Sequence, residues 1–268
     1  MRLFGCCLVV VLLSVNGLAS CPPEFYGDVS FAKNAAKLIQ RSDLRPEQEF
    51  GIAVAYAKGK GVPQDMQEVL HWYQRAASHG HSAAQSNLAL MYFEGCGTVP
   101  DAVKAFQWAQ RSAAEGYVPA MNSLGAFYLN GVGVTADRSR ALEYFRRAAE
   151  REYPPAMFNM GVMLTTKAEG EPNYVEAIRW FRRAADRKLV DGQRVLAHAY
   201  YYGLGVARNS KQALFWFRRA ADQGDAQAEM ALSTLYARGD GVEADAQQAE
   251  RWAERAREHG VQSSGLLQ

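Results

Sequence analysis

Histidine is the residue type of this chain best suited to metal binding or proton transfer. The sequence contains five, His71, His79, His81, His198 and His259. No His-Glu-x-x-His pattern occurs, so the helical zinc-protease motif is missing. His79 and His81 flank Gly80 near the predicted end of a helix, where polar or cationic side chains are ordinary. We therefore predict a structural or solvated role for this pair and neither a bound metal nor a cofactor.

Four cysteines give a second set of reactive side chains. Cys96 lies between Gly95 and Gly97 in a predicted exposed turn, where an unused turn residue is favoured over a reactive thiol because no histidine recurs nearby. Cys6 and Cys7 fall in a predicted leader, and Cys21 follows it. With the leader removed and Cys21 modified, the mature domain is expected to form no internal disulfide.

Glycine-rich and charged stretches give no further catalytic motif. The segment from Gly59 to Val62 resembles a phosphate-binding loop only superficially, because it follows no predicted strand and recurs along the chain. The net charge is +2, with acids and bases interspersed. A nucleic-acid-binding protein usually carries a basic face, so no nucleic-acid partner is expected.

The dominant feature is a repeat with a period of 36 residues. We call the residues at one position of successive repeats a column. One column is aromatic throughout: Trp72, Trp108, Tyr144, Trp180, Trp216 and Trp252. An arginine column follows three residues later: Arg75, Arg111, Arg147, Arg183, Arg219 and Arg255. Six aligned copies without insertions predict an array of identical structural units.

Each unit is predicted to be a pair of helices, A and B. In helix A, Ala84, Leu88 and Tyr92 are spaced by four and share one face. A Gly-x-Gly turn follows, and an Asp or Asn column then supplies the N-cap of helix B. In the Arg-Arg pairs of helix B, one arginine is expected to pack on the aromatic column and the other to be solvated. Binding of phosphate or anionic lipid by this basic ridge is the alternative.

These columns resemble the Sel-one-like repeat (SLR) family, a relative of the tetratricopeptide repeat. In the fifth repeat the matching residues are Leu196-Ala197, Tyr200, Gly203-Leu204-Gly205-Val206, Asn209, Ala213, Trp216 and Arg219-Ala220-Ala221. The resemblance covers residues 48–260 and implies an all-α fold, a right-handed α-solenoid of about six 36-residue helix-turn-helix repeats. The fourth repeat departs from the pattern, with Lys167 to Pro172 in place of the glycine turn.

The first twenty residues have the composition of an export signal. Arg2 is followed by an apolar run, and Leu18-Ala19-Ser20-Cys21 is similar to a bacterial lipobox. We predict cleavage of residues 1–20, lipidation of Cys21 and location at the periplasmic face of the outer membrane. Ordinary cleavage near Ala19 with a soluble periplasmic product, and an uncleaved anchor, are the alternatives. Residues 21–47 are expected to form a linker and a capping helix, and 261–268 a flexible tail.

The surface of helix A is the predicted binding site, because the resemblance implies that these helices line the concave groove. Residues there that vary between repeats are candidates to contact a protein partner. The predicted set is Leu90, Phe93, Glu94, Asn122, Leu129, Asn130, Phe158, Arg194, His198, Tyr201, Tyr202 and Arg238. Aromatic residues and arginine are frequent hot spots at protein interfaces. The alternative is that some of these side chains only pack between neighbouring A helices.

The resemblance implies a non-enzymatic interaction module of the bacterial envelope. Its partner would be an envelope-assembly component, with the chain as adaptor, or a secreted toxic effector such as a phospholipase, with the chain as immunity protein. An envelope enzyme of the β-lactamase-like type is the first alternative. The chain lacks the disulfide in each repeat and the Ser-x-x-Lys motif that such relatives imply. A glycan- or peptidoglycan-binding module is the second.

Overall fold

The regular structure of the computed structural model is helical throughout the residues it describes, 35–166 and 171–260. A short α1 (Ala35–Leu38) precedes six helix pairs. The A helices are α2 (Pro46–Lys58), α4 (Ser82–Glu94), α6 (Val118–Asn130), α8 (Pro154–Thr165), α10 (Val190–Tyr202) and α12 (Ala226–Arg238). The B helices are α3 (Met66–Ser78), α5 (Ala102–Ala114), α7 (Arg138–Glu150), α9 (Tyr174–Asp186), α11 (Ser210–Ala221) and α13 (Ala246–Glu258). The predicted all-α solenoid is confirmed.

The helices belong to two compact units that divide between Arg151 and Glu152. The N-terminal unit contains α1 to α7 and the C-terminal unit α8 to α13. Within each unit, every helix from α2 on packs against the next helix along the chain. In the N-terminal unit, Ala35 of α1 is buried together with Ala55 of α2, so α1 covers part of the first helix pair.

The predicted N-caps hold the B helices in place. Asp65 accepts hydrogen bonds from the backbone N–H of Gln67 at 2.8 Å and of Glu68 at 3.3 Å. Asn209 accepts one from the backbone of Gln212 at 3.1 Å. These side chains satisfy backbone donors that have no partner inside the helix. The Asp/Asn column therefore sets where each B helix begins.

The second glycine of the turn is required by close approach between repeats. A Cβ atom on Gly205 would lie 2.4 Å from the carbonyl oxygen of Tyr174, in the first turn of the preceding B helix. Gly205 also has a φ of +67°, which an L-residue rarely adopts. In the N-terminal unit, a Cβ on Gly97 would lie 2.4 Å from the carbonyl oxygen of Met66. The turn thus packs one repeat against the previous one.

The fourth repeat closes without this glycine. Helix α8 ends at Thr165, and Thr166 is extended, with a φ of −92°. The backbone N–H of Asn173 still donates to the carbonyl oxygen of Leu164 at 2.9 Å, as Asp101 does to Tyr92 at 2.7 Å in the second repeat. The altered segment 167–170 lies outside the described residues, as do the predicted signal 1–20, Cys21 and the tail 261–268.

The aromatic and arginine columns form stacked pairs on every B helix. The guanidinium carbon of Arg183 lies 4.5 Å from the ring centroid of Trp180, and the other repeats repeat this contact. This arginine was predicted to pack on the ring, and it does. The prediction that its neighbour is solvated is wrong for Arg182, which is half-buried, and is confirmed for Arg218, which is exposed. Both arginines also donate to tyrosine hydroxyls on the following A helix, Arg182 to Tyr200 and Arg218 to Tyr236.

Two expectations for Cys96 are also wrong. Its side chain is buried, with 4% of its surface exposed, rather than lying in an open turn. It is disulfide-bonded rather than free.

Candidate partner-binding surface on the A helices

Burial divides the predicted binding residues into an exposed set and a buried set. Phe158 and Tyr201 were expected to be exposed aromatics, but only 5% and 8% of their surfaces are accessible. Phe158 packs its ring 5.2 Å from that of Phe181 in the helix that follows. Tyr201 donates its hydroxyl to the Asp240 carboxylate at 2.8 Å. Both residues therefore belong to the structure of the C-terminal unit and are not free for a partner.

Arg194 is also held by its own unit. Its guanidinium lies 2.5 Å from a carboxylate oxygen of Asp191 and 3.2 Å from one of Asp225, and only 13% of its side chain is exposed. Asp225 caps α12 by accepting from the backbone N–H of Ala228 at 2.6 Å. Arg194 thus links α10 to the N-terminus of α12, and we assign it a structural role.

The remaining candidates of the N-terminal unit lie on α4 and α6. Phe93 is half-buried and its ring centroid is 5.6 Å from that of Phe127. Leu90 and Glu94 are half-buried too and are separated by one helical turn. Burial raises the pKa of the Glu94 carboxyl above its usual range. This part of the surface is therefore apolar with one desolvated acid.

On α6 the candidates are less buried and mainly polar. Asn122 and Leu129 are half-buried, and Asn130 is exposed. The Asn130 side chain donates to the carbonyl oxygen of Ala126, one turn earlier, at 2.9 Å. Asn130 occupies the position in this repeat that Glu94 occupies in the previous one.

The candidates of the C-terminal unit are aromatic and cationic. The His198 ring lies edge-on to Phe217 with centroids 4.9 Å apart and is stacked over Tyr202 at 6.1 Å. Burial, with a smaller contribution from Arg194, lowers the pKa of His198 to about 4, so the imidazole is neutral at physiological pH. Burial also raises the pKa of Tyr202. Arg238, at the end of α12, is exposed.

The C-terminal column of helix A is the most accessible of the predicted columns. None of its members is buried: Lys58, Glu94, Asn130, Thr166, Tyr202 and Arg238. Their chemistry changes from repeat to repeat while the packed columns stay constant. Such an arrangement can recognise a surface of irregular chemistry, because each position contributes a different side chain from a fixed frame. The structure thus narrows the candidate site from twelve residues to nine.

Sequence reasoning missed a buried polar set between helices A and B. The Glu49 side chain is fully buried and its carboxylate lies 3.0 Å from Arg75 and 2.8 Å from His79. Glu229, also fully buried, makes the same contacts at the same distances with Arg255 and His259. In the fifth repeat Gln223 donates to Gln193 at 2.8 Å at the corresponding positions. These contacts give His79 and His259 structural roles.

We expect Glu229→Gln to lower the free energy of unfolding by about 2 kcal/mol, because a buried charged hydrogen-bond acceptor is lost. Adding His259→Gln should restore about 1 kcal/mol, because the pair then matches the Gln193–Gln223 hydrogen bond. Urea unfolding followed by circular dichroism would measure both values. In the control Glu229→Gln/His259→Ala no recovery is expected. Equal stability of the two double variants would contradict the proposed pairing.

Two further properties of the described residues bear on the chemistry of this surface. Within residues 35–166 and 171–260, no group of three or more His, Cys, Asp or Glu side chains is placed to hold a metal ion. Every helix of the same residues is too short or too polar to cross a membrane.

The family model of the Sel1 repeat matches the chain six times, at residues 49–81, 82–117, 118–153, 154–189, 190–225 and 225–261. These matches cover all six helix pairs. No curated protein is significantly similar to the chain in sequence.

Several solved structures are similar to the chain. A Sel1 repeat protein from Oxalobacter formigenes is 26% identical, with a TM-score of 0.76 over 88% of this chain and 94% of that one. A protective antigen of uropathogenic Escherichia coli with an SLR fold is 31% identical, with a TM-score of 0.69 over 80% of this chain. The match spans only 46% of the antigen. An immunity protein from Pseudomonas aeruginosa is 19% identical, with a TM-score of 0.58 over 85% of this chain and 86% of that one, and shares the fold.

Proposed function

Because the chain belongs to the Sel1 repeat family, we propose that it is a protein-binding module without enzymatic activity, and that its partner docks on the exposed part of the A helices. The observation that carries this proposal is the C-terminal column of helix A, which is never buried and varies in every repeat. The half-buried Tyr202 ring already packs against the rings of His198 and Tyr201 before a partner binds. Little side-chain entropy is then lost on binding.

For the biological role we propose an immunity protein or an envelope adaptor. In the first role the partner is a secreted toxic effector, for example a phospholipase, which the chain neutralises by covering it. In the second the partner is a component of envelope assembly. The shared fold of the Pseudomonas aeruginosa immunity protein supports the architecture required for the first role. The two roles differ in whether partner activity is inhibited on binding.

The test uses a partner captured from envelope and secreted fractions, identified by mass spectrometry and then purified. We expect Leu90→Ala/Tyr202→Ala to weaken its affinity about tenfold in calorimetry, because hot-spot contacts are removed from the A helices. The matched control, Val103→Ala/Phe215→Ala, removes exposed apolar side chains from B helices and should leave affinity within about twofold. Loss of affinity only in the control pair would overturn the proposal.

We also propose that the mature protein is anchored at the periplasmic face of the outer membrane by lipidation of Cys21. Lipidation turns the sulfur of Cys21 into a thioether, which cannot also join a disulfide. Cleavage before Cys21 would remove Cys6 and Cys7. The lipidated protein should therefore carry Cys96 as a free thiol, although Cys96 is disulfide-bonded in the structure. Intact-mass analysis after alkylation in denaturant tests this: in the monomer, a Cys96 that is alkylated only after reduction would contradict lipidation.

A further inference from the structure

Glu94 occupies a position where a carboxylate destabilises the fold. It is the last residue of α4, next to backbone carbonyls that give a helix C-terminus partial negative charge. At the equivalent positions of the other repeats the residues are Lys58, Asn130, Thr166, Tyr202 and Arg238, so none is acidic. An acid at a helix C-terminus is unfavourable for stability, and the five equivalent residues are not acidic. Glu94 is therefore a candidate for recognition of a partner.

The surroundings of Glu94 increase this cost. The side chain is half-buried, and this burial raises the pKa of its carboxyl above the usual range. Among the described residues no Lys, Arg or His forms an ion pair with it that would offset the desolvation. By contrast, Glu49 and Glu229 are buried with two cationic or potentially cationic partners each. Glu94 is thus a desolvated acid without a counterion from its own unit.

Apolar side chains accompany Glu94 at the same end of α4. Leu90 lies one helical turn earlier on the same side of the helix. Val99, in the turn that follows α4, is 79% exposed. The backbone N–H of Asp101 donates to the carbonyl oxygen of Tyr92 at 2.7 Å, so this turn folds back on the helix end. An acid beside one half-buried and one exposed aliphatic side chain matches a long cationic side chain, whose stem is apolar and whose end is charged.

We propose that Glu94, with Leu90 and Val99 beside it, binds an arginine or lysine side chain of the partner protein that is flanked by apolar residues. The inference rests on the proposed function and specifies the chemistry of the partner. The cation would neutralise Glu94 and interact favourably with the negative end of α4. Its aliphatic stem would pack on Leu90.

Arg238, a charged residue of the same column, is a weaker candidate for binding an acidic side chain of the partner. Arg238 is exposed, but it interacts with the Tyr201 side chain, which also bonds to Asp240. An acid of its own unit therefore already lies in this network. Glu94 has no ion pair among the described residues, so a cation of the partner would be its first counterion.

The experiment compares two peptides, Ac-Leu-Arg-Leu-NH2 and its neutral analogue with citrulline in place of arginine, by NMR titration of the full chain. Citrulline keeps the shape of arginine without its charge. We expect the arginine peptide to bind about fivefold more tightly and to shift the amides of Leu90 and Glu94, because one ion pair distinguishes the ligands. In Glu94→Gln this preference should fall below about twofold, since the glutamine keeps the shape without the charge.

Thermal unfolding separates recognition from structure. Glu94→Gln should raise the melting temperature by about 1–2 °C at neutral pH, because it removes an unfavourable charge from a helix end. The matched control Glu115→Gln removes an exposed acid from the C-cap of α5 and should leave the arginine preference unchanged. A lower melting temperature for Glu94→Gln would assign Glu94 to stability and overturn the inference.

The outcomes also separate this inference from the proposed function. If the A-helix variants lose the purified partner but neither protein prefers arginine over citrulline, the charge inference is wrong and the protein-binding role stands. If the arginine preference depends on Glu94 while the partner is lost only in the B-helix control, the local site is correct and the proposed docking surface is wrong.

Discussion

Gly161→Val is expected to lower the free energy of unfolding of the C-terminal unit by about 3 kcal/mol, because it overpacks a filled core. A Cβ atom at Gly161 would lie 2.5 Å from the ring of Phe181, well inside van der Waals contact. The two helices would have to separate, or the ring would have to leave its place between them. Urea unfolding followed by circular dichroism would give the change in stability.

The matched rescue variant is Gly161→Val/Phe181→Leu, which removes part of the ring that the valine would meet. It should be more stable than Gly161→Val alone, because the two sites are in contact and their effects are coupled. A second glycine–phenylalanine pair, Gly125 and Phe145, would have a Cβ-to-ring distance of 2.6 Å. Wild-type stability of Gly161→Val would show that α8 and α9 do not pack as closely as the structure indicates.

Acidification from pH 7 to pH 4 is expected to remove about 3 kcal/mol of stability through His198, at 1.36 kcal/mol per pKa unit. The folded protein holds the pKa of His198 at about 4, whereas the ordinary value is 6.5. Between pH 6.5 and pH 4, His198 is therefore mostly protonated in the unfolded chain and mostly neutral in the folded chain. The stabilisation is complete above that pH and is lost as the pH falls toward 4.

His198→Leu isolates this contribution because it cannot be protonated. The difference in unfolding free energy between wild type and His198→Leu should change by that amount between pH 7 and pH 4, whatever the other acids contribute. The control His71→Leu alters an exposed histidine on α3 and should leave the pH profile parallel to that of wild type. Parallel profiles for His198→Leu would show that the imidazole is solvated.

Periodicity was sufficient to predict the helices, their caps and their packed columns. A 36-residue register fixes which face of each helix meets its neighbours, so Trp180 and Arg183 could be assigned from sequence alone. The burial of Phe158 could not be predicted from sequence alone. It depends on Phe181, whose ring approaches α8 because Gly161 has no side chain, and this is a property of three residues together. Tyr201 was misassigned because its partner Asp240 lies in a turn of the next repeat.

The buried Glu–His pairs carried a sequence signal of a different kind. Glu49 and His79 are separated by 30 residues, as are Glu229 and His259. Comparison of single columns hides this signal, because the glutamate column also contains Gln85 and Met121. Comparison of pairs of columns shows it, since Gln193 is matched by Gln223. The accessibility of Glu94, by contrast, depends on which side chains surround the end of α4.

The placement of the aromatic column has an optical consequence. All five tryptophans of the sequence lie on B helices, each beneath an arginine, while the proposed binding surface on the A helices contains none. Intrinsic tryptophan emission therefore reports the integrity of the helix pairs and is nearly silent about what occupies the A helices. The protein carries its own probe of unfolding, and a tryptophan introduced at Asn130 would give it a separate probe of binding.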